Sequence, residues 1–90
     1  MVRRYIVLVN TQSSSVYDRI FDYCRYQTVN YVAFDGEGFL IDSYASPGEI
    51  CDFFIENCSS YEEFFVCEIT GEVAWRNASC GFNDMNRFLG

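Results

Sequence analysis

Residues 46–49, Ser46-Pro47-Gly48-Glu49, form the clearest helix start in the chain. Serine is a preferred N-cap, proline suits the first helical position, and a glutamate three residues after the cap completes a capping box. The apolar residues that follow recur at helical spacing: Ile50, Cys51, Phe54, Ile55 and Cys58. We therefore predict a helix over residues 47–58, around which the rest of the chain must be arranged.

The remaining segments predict one further helix and several strands. Residues 15–27 place Val16, Ile20 and Cys24 on one helical face, and Ser15 and Asp18 are spaced as in a capping box. Short runs rich in β-branched and aromatic residues predict five strands, at residues 4–9, 31–34, 39–44, 61–69 and 72–76. The first strand, RYIVLV, has the pattern of a strand buried on both faces, and the tail at 83–89 is expected to add a helical turn.

The order β-α-β-β-α-β-β predicts an α+β fold, in a single domain over residues 1–90. Helices after the first and third strands indicate a split βαβ unit, the ferredoxin-like βαββαβ arrangement, with an additional C-terminal strand. In that arrangement two helices cover one face of an antiparallel sheet, and the other face is open. We expect four side chains to be buried between helices and sheet: Val16, Ile20, Phe54 and Ile55.

The cysteines and the absence of histidine limit the catalytic and metal-binding chemistry that the chain can perform. Five cysteines without a CxxC pair favour free thiols, which act as small buried hydrophobes in a cytoplasmic protein. The chain has no histidine and no lysine, the usual partners that activate a nucleophile. We therefore expect no catalytic residues, no metal and no cofactor. No apolar run reaches the roughly 18 residues of a membrane-spanning helix.

Negative charge is concentrated in the middle of the chain. The net charge is −7, and residues 26–75 contain acidic residues but no lysine or arginine. Glu49, Asp52 and Glu56 share the polar side of the second predicted helix, and alternation places Phe64 and Glu68 on one face of the fourth strand. We expect this acidic region to bind a partner, with Tyr61 and Phe64 as anchors, through Glu49, Asp52, Glu56, Tyr61, Glu62, Glu63, Phe64 and Glu68. The alternative is a solvated surface that keeps the protein soluble.

Two functions that involve nucleic acid, RNA binding and nuclease activity, are only partly supported by the sequence. Gly38, Phe39 and Tyr44 resemble part of an RNA-recognition motif, but Glu37 stands where that motif has a base, and carboxylates repel phosphate. A Cas2-like nuclease is also small and ferredoxin-like, yet the acidic residue after its first strand is replaced here by Asn10. A cation held by Asp35, Glu37 and Asp42 does not match the spacing of a calcium loop.

In size, acidity and lack of catalytic residues the chain resembles small phage-encoded inhibitors, notably anti-CRISPR proteins. Several members of that group are ferredoxin-like and block the nucleic-acid site of a CRISPR effector. The resemblance implies a non-enzymatic protein that binds a basic, nucleic-acid-binding groove of a partner protein, with no direct binding to nucleic acid or membrane. The alternatives are a structural or dimerising ferredoxin-like domain, which would use the open sheet face or an edge strand, and a Cas2-like metal-dependent nuclease.

Overall fold

The computed structural model describes residues 1–34, 38–59, 62–71, 73 and 82–89. The chain forms an antiparallel sheet of four strands and three helices, which confirms the predicted α+β class. In chain order these are β1 (Arg3–Asn10), α1 (Ser14–Gln27), β2 (Asn30–Phe34), β3 (Gly38–Ser43), α2 (Pro47–Asn57), β4 (Glu63–Ile69) and α3 (Phe82–Leu89). Apart from Val73, which belongs to no strand, the predicted fifth strand at 72–76 lies outside the described residues.

The strands are arranged in the order β2-β3-β1-β4, and each neighbouring pair is antiparallel. Val7 in β1 lies opposite Phe39 in β3 and opposite Val66 in β4. Since paired residues in a sheet point to the same side and alternate along each strand, this register defines two faces. We call the side of Val7 the helix face and the side of its neighbour Leu8 the back face.

Helices α1 and α2 both pack on the helix face, as predicted. Their buried side chains contact a layer contributed by the two central strands, which hold most of the buried residues of the sheet. This core contains Tyr5, Val7, Val9, Phe39 and Ile41 from the sheet, Val16, Ile20 and Cys24 from α1, and Ile50 and Phe54 from α2. Val16, Ile20 and Phe54 are therefore buried as expected.

The prediction that Ile55 is buried is wrong. Its side chain is 65% exposed, whereas the adjacent Phe54 is 1% exposed. Ile50 and Phe54 are four residues apart, so they lie one above the other on the side of α2 that meets the sheet. Ile55 follows Phe54 by about 100° around the helix and is turned away from the sheet.

The two helix starts differ in how well the sequence predicted them. At α2 the capping box is confirmed: the Glu49 amide donates to Ser46 Oγ at 3.2 Å, and the Ser46 amide donates to the Glu49 carboxylate at 3.2 Å. At α1 the predicted cap is wrong, because Ser13 rather than Ser15 is the N-cap and accepts from the Val16 amide at 3.3 Å. Ser15 already lies inside the first helical turn.

The back face is not open over its whole width, which corrects the expectation drawn from the two-helix arrangement. Met85 and Phe88 of α3 pack on Val32 and Leu40 and form a second, smaller core. At its margin the Arg4 guanidinium lies 4.6 Å from the centre of the Phe88 ring and binds both carboxylate oxygens of Asp42, at 2.8 and 3.1 Å. The predicted helical tail is thus a complete helix whose apolar side covers the β2–β3 part of this face.

Burial on both sides of β1 is also only partly confirmed. Its helix-face residues Tyr5, Val7 and Val9 are buried, whereas Leu8 on the back face is 43% exposed and its β4 partner Phe65 is 56% exposed. Helix α3 covers the other half of the sheet, so this pair is left at the surface. None of the helices in the described residues is long and apolar enough to cross a membrane.

Candidate partner-binding surface

The polar side of α2 carries three exposed carboxylates, at Glu49, Asp52 and Glu56. Their spacings of three and four residues place them about 4.5 and 6 Å apart along the helix axis, on the side away from the sheet. We call these three residues the acidic stripe. The burial of Ile50 and Phe54 against the sheet fixes the rotation of α2 and therefore turns the stripe outward.

Most of the stripe has no charge partner in the described part of the chain. The Glu49 carboxylate caps its own helix, while Asp52 and Glu56 make no hydrogen bond or ion pair with any described residue. The pKa of Arg3 is raised mainly by a hydrogen bond to the Tyr5 hydroxyl and further by attraction to Glu68 and Glu49. Among the described residues, two of the three charges of the stripe therefore have no partner other than solvent.

Contacts from α1 hold α2 in this orientation. The rings of Tyr23 and Phe53 stack with centroids 4.2 Å apart, between the two helices. The Arg19 guanidinium donates to the carbonyl of Asn57 at 3.3 Å, at the C-terminal end of α2. The last turn of α2 contains no base, so Arg19 supplies the positive charge that a helix C-terminus favours. The sequence did not reveal this contact, because its two residues are 38 positions apart.

Glu62 is an anchor of its loop rather than a free carboxylate. One of its oxygens accepts from the Thr11 hydroxyl, and the other accepts from the Ser59 amide at 2.7 Å. These hydrogen bonds, with Thr11 contributing most, lower the pKa of the Glu62 carboxyl. The residue therefore ties the loop before β4 to the end of β1, and this role makes it a poor candidate for binding a partner.

The remaining predicted binding residues lie on different surfaces. Phe64 is half-buried and stacks on Phe54 with ring centroids 5.1 Å apart, because its alternation face is the helix face. Glu68 is exposed at the same side, opposite Tyr5, whereas Glu63 is paired with Asn10 and points to the back face. The structure therefore unites Glu49, Asp52 and Glu56 but does not bring all the predicted carboxylates onto one surface. Tyr61 lies outside the described residues.

A polar depression of about 540 Å³ lies beside Glu62, at the end of the sheet where β1 finishes. Hydroxyl and amide side chains line it, together with Val16 and the Glu62 carboxylate: Asn10, Thr11, Gln12, Ser13 and Ser59. Within the described ranges no three histidine, cysteine, aspartate or glutamate residues come together as metal ligands would. Of the acids considered for a cation, Asp42 is paired with Arg4, and Asp35 and Glu37 lie outside the described residues.

The cysteines that the structure describes carry free thiols, as predicted. Cys24 is buried in the main core, and desolvation there raises the pKa of its thiol to about 12. Cys51 and Cys58 are half-buried, and Cys67 is exposed on β4. The expectation of buried thiols therefore holds for Cys24 and fails for Cys67, and Cys80 lies outside the described residues.

Helical spacing in the sequence identifies the acidic stripe, but it does not show that the neighbouring Ile55 is exposed. Ile55 fits the apolar stripe of α2 by spacing alone, yet Ile50 and Phe54 already occupy the side that meets the sheet. The exposed surface of α2 thus carries one large apolar side chain beside Asp52 and Glu56.

No protein-family model, curated protein or solved structure gives a significant match to the chain.

Proposed function

We propose that the chain is a non-enzymatic binding protein whose acidic stripe occupies a basic, nucleic-acid-binding groove of a partner protein. The observation that carries this proposal is the exposure of Asp52 and Glu56 without a described charge partner. Like charges at a spacing of four residues destabilise an isolated helix by a few tenths of a kcal/mol, so the pattern has a cost that binding to a basic surface would offset.

The spacing of the stripe is compatible with imitation of a phosphate backbone. Its three charges are separated by about 5 Å on average along the helix axis. One strand of duplex DNA carries a charge about every 3.4 Å along its axis, so the two charge densities are comparable. A groove lined with arginine and lysine would attract both, and occupation by the protein would exclude the nucleic acid.

A narrower proposal concerns the fold and the biological setting. The strand order β2-β3-β1-β4 and two helices on one face support a ferredoxin-like βαββαβ arrangement, to which α3 is added on the back face. Small size, acidity and this arrangement support a phage-encoded inhibitor of a host defence system, such as an anti-CRISPR protein, that acts in the host cytoplasm.

The partner class can be tested by capture followed by competition. Wild-type protein and a Glu49→Lys/Asp52→Lys/Glu56→Lys variant are immobilised side by side and exposed to the same bacterial lysate. The proposal expects proteins that are retained by the wild type alone and that are released by added duplex DNA or RNA. Retained proteins that nucleic acid does not displace would contradict occupation of a nucleic-acid groove.

A further inference from the structure

Exposed apolar side chains gather at the end of the molecule where β1 begins and β3 finishes. Tyr44 is 72% exposed, Val29 is 55% exposed and Val2 is 42% exposed. Arg3 pairs with Ser43 and Asn30 pairs with Asp42, so the same registers continued by one position bring Val2 and Val29 to either side of the 43–44 segment. Tyr26, at the end of α1, is 70% exposed and lies three residues before Val29. We call Val2, Tyr26, Val29 and Tyr44 the tyrosine end.

This end is concave as well as apolar. A depression of about 350 Å³ lies between Val29 and Tyr44 and is lined further by Thr28, Ala45 and Glu49. Tyrosine is enriched among the residues that dominate binding energy at protein interfaces, and such residues bind best when they enter pockets on the partner. An apolar projection beside a recess allows the same patch on two copies to be complementary to itself.

The charge of the tyrosine end is mixed, unlike that of the acidic stripe. The pKa of Arg3 is raised mainly by a hydrogen bond to Tyr5 and further by attraction to Glu68 and Glu49, Arg4 is paired with Asp42, and the Arg25 guanidinium lies 5.7 Å from the centre of the Tyr26 ring. The chain as a whole carries a net charge of −7, so two copies repel each other on most approaches. A copy that approaches through the tyrosine end meets cations as well as carboxylates.

We propose that the tyrosine end binds a second copy of this chain across a two-fold axis. Such a contact uses the same patch on both copies, so Arg3 and Arg25 of one copy face the patch that carries Glu49 and Glu68 on the other. Glu49 belongs both to the acidic stripe and to the recess of this end, and the variants that test the dimer leave it unchanged. A consequence of the dimer is that one particle carries two stripes, one on each α2.

The size of the patch sets the strength of the dimer. A tyrosine buries roughly 150–250 Å² when fully enclosed, so two tyrosines and two valines cover less than the roughly 800 Å² per partner of a standard interface. The dimer is accordingly in the weak class. Its dissociation constant is expected in the micromolar range, about 1–100 μM.

The test is the oligomeric state of the full chain in solution. Sedimentation velocity over roughly 1 μM to 1 mM protein should show wild type passing from monomer to dimer. Tyr44→Ser should raise the dissociation constant about tenfold or more, since removal of a central interface tyrosine commonly has that effect. The matched control is Phe65→Ser, which removes an exposed aromatic ring from the back face and should leave the dimer at wild-type strength.

A second variant and a charge variant complete the test. Val29→Ser should weaken the dimer as Tyr44→Ser does, and Arg25→Glu should weaken it because a carboxylate replaces a cation that faces the other copy. All four changes are at exposed positions, so circular dichroism should show an unchanged fold. A wild type that stays monomeric over this range overturns the proposal. A dimer that survives both Tyr44→Ser and Val29→Ser, or that is lost in Phe65→Ser, also overturns it.

Discussion

Replacing Phe54 and Ile55 by alanine, one at a time, tests the rotation of α2 against the sheet. The two residues are adjacent in sequence and both are large and apolar, yet Phe54 is 1% exposed and Ile55 is 65% exposed. Phe54 also stacks on Phe64 of β4 and contacts the ring of Phe53. The structure therefore predicts very different losses of stability for two neighbouring truncations.

Truncation of a buried phenylalanine to alanine costs about 3–5 kcal/mol, because transfer energy is lost and a cavity remains. An exposed isoleucine contributes little, and its truncation should cost within about 0.5 kcal/mol. A chain of this length has a total free energy of unfolding of roughly 5–13 kcal/mol. Phe54→Ala should thus remove a large part of the stability and lower the Tm by more than about 12 °C.

Urea unfolding followed by circular dichroism measures both free energies on one scale. The expected result is a loss at least about six times larger for Phe54→Ala than for Ile55→Ala. Equal losses, or a larger loss for Ile55→Ala, would contradict the rotation of α2 in which Phe54 and not Ile55 meets the sheet. The acidic stripe would then not face outward, so this result would also remove the structural basis of the proposed function.

Three further predictions concern the ends of the elements and the thiols. Ser13→Ala should lower the free energy of unfolding by about 1 kcal/mol because the N-cap of α1 is lost, while Ser15→Ala should be near neutral, and equal effects would contradict the assignment of the cap. Thr11→Val removes the hydrogen bond that contributes most to the lowered pKa of the Glu62 carboxyl. This hydrogen bond stabilises the folded protein at pH values above the pKa of the unfolded carboxyl, and its contribution is lost as pH falls through the folded pKa. The free energy of unfolding that the variant loses, measured in urea, should therefore shrink in acid, and a loss that grows in acid would contradict the contact. A thiol reagent at mildly alkaline pH should label Cys67 in the native protein and should reach Cys24 only on unfolding, because Cys24 is buried and its pKa is raised to about 12. Mass spectrometry identifies the labelled cysteines, and rapid labelling of Cys24 in the native protein would contradict its burial.

Local chemistry made some of the fold predictable. The capping box at Ser46 and Glu49 depends on residues three positions apart, so the sequence alone could specify where α2 begins. The spacing of Val16 and Ile20 likewise identified the buried side of α1. With the strand order β2-β3-β1-β4, the preference for right-handed crossovers between parallel strands accounts for both helices lying on one face of the sheet.

Other features depend on contacts that no short stretch of sequence contains. Three serines in a row, residues 13–15, stand at the start of α1, and only the backbone geometry selects Ser13 as the cap. Alternation predicted that Phe64 and Glu68 share a face, but the pairing of β4 with β1 decides that this face is the core side. Helix α3 covers the β2–β3 part of the back face through Met85 and Phe88, which are more than 40 residues from their partners Leu40 and Val32.

The same distinction applies to the candidate site. Helical spacing was enough to group Glu49, Asp52 and Glu56, because all three belong to one helix. Glu62 and Glu63 were grouped with them by composition alone. The structure separates them, since Glu62 is held by Thr11 and Ser59, and Glu63 points to the back face.

The most direct test of the acidic stripe is the affinity of two matched charge reversals for a protein captured by the wild type. Asp52→Lys/Glu56→Lys reverses the two unpaired charges of α2, and Asp18→Lys/Asp22→Lys makes the same change, at the same spacing, on exposed positions of α1. Close charge pairs at interfaces couple by roughly 1.5 kcal/mol or more, so the α2 variant should bind at least about 100-fold more weakly while the α1 variant retains most of the wild-type affinity. Equal losses in the two variants would show that only net charge matters, and wild-type affinity in a folded α2 variant would contradict the assignment of the stripe as the binding surface.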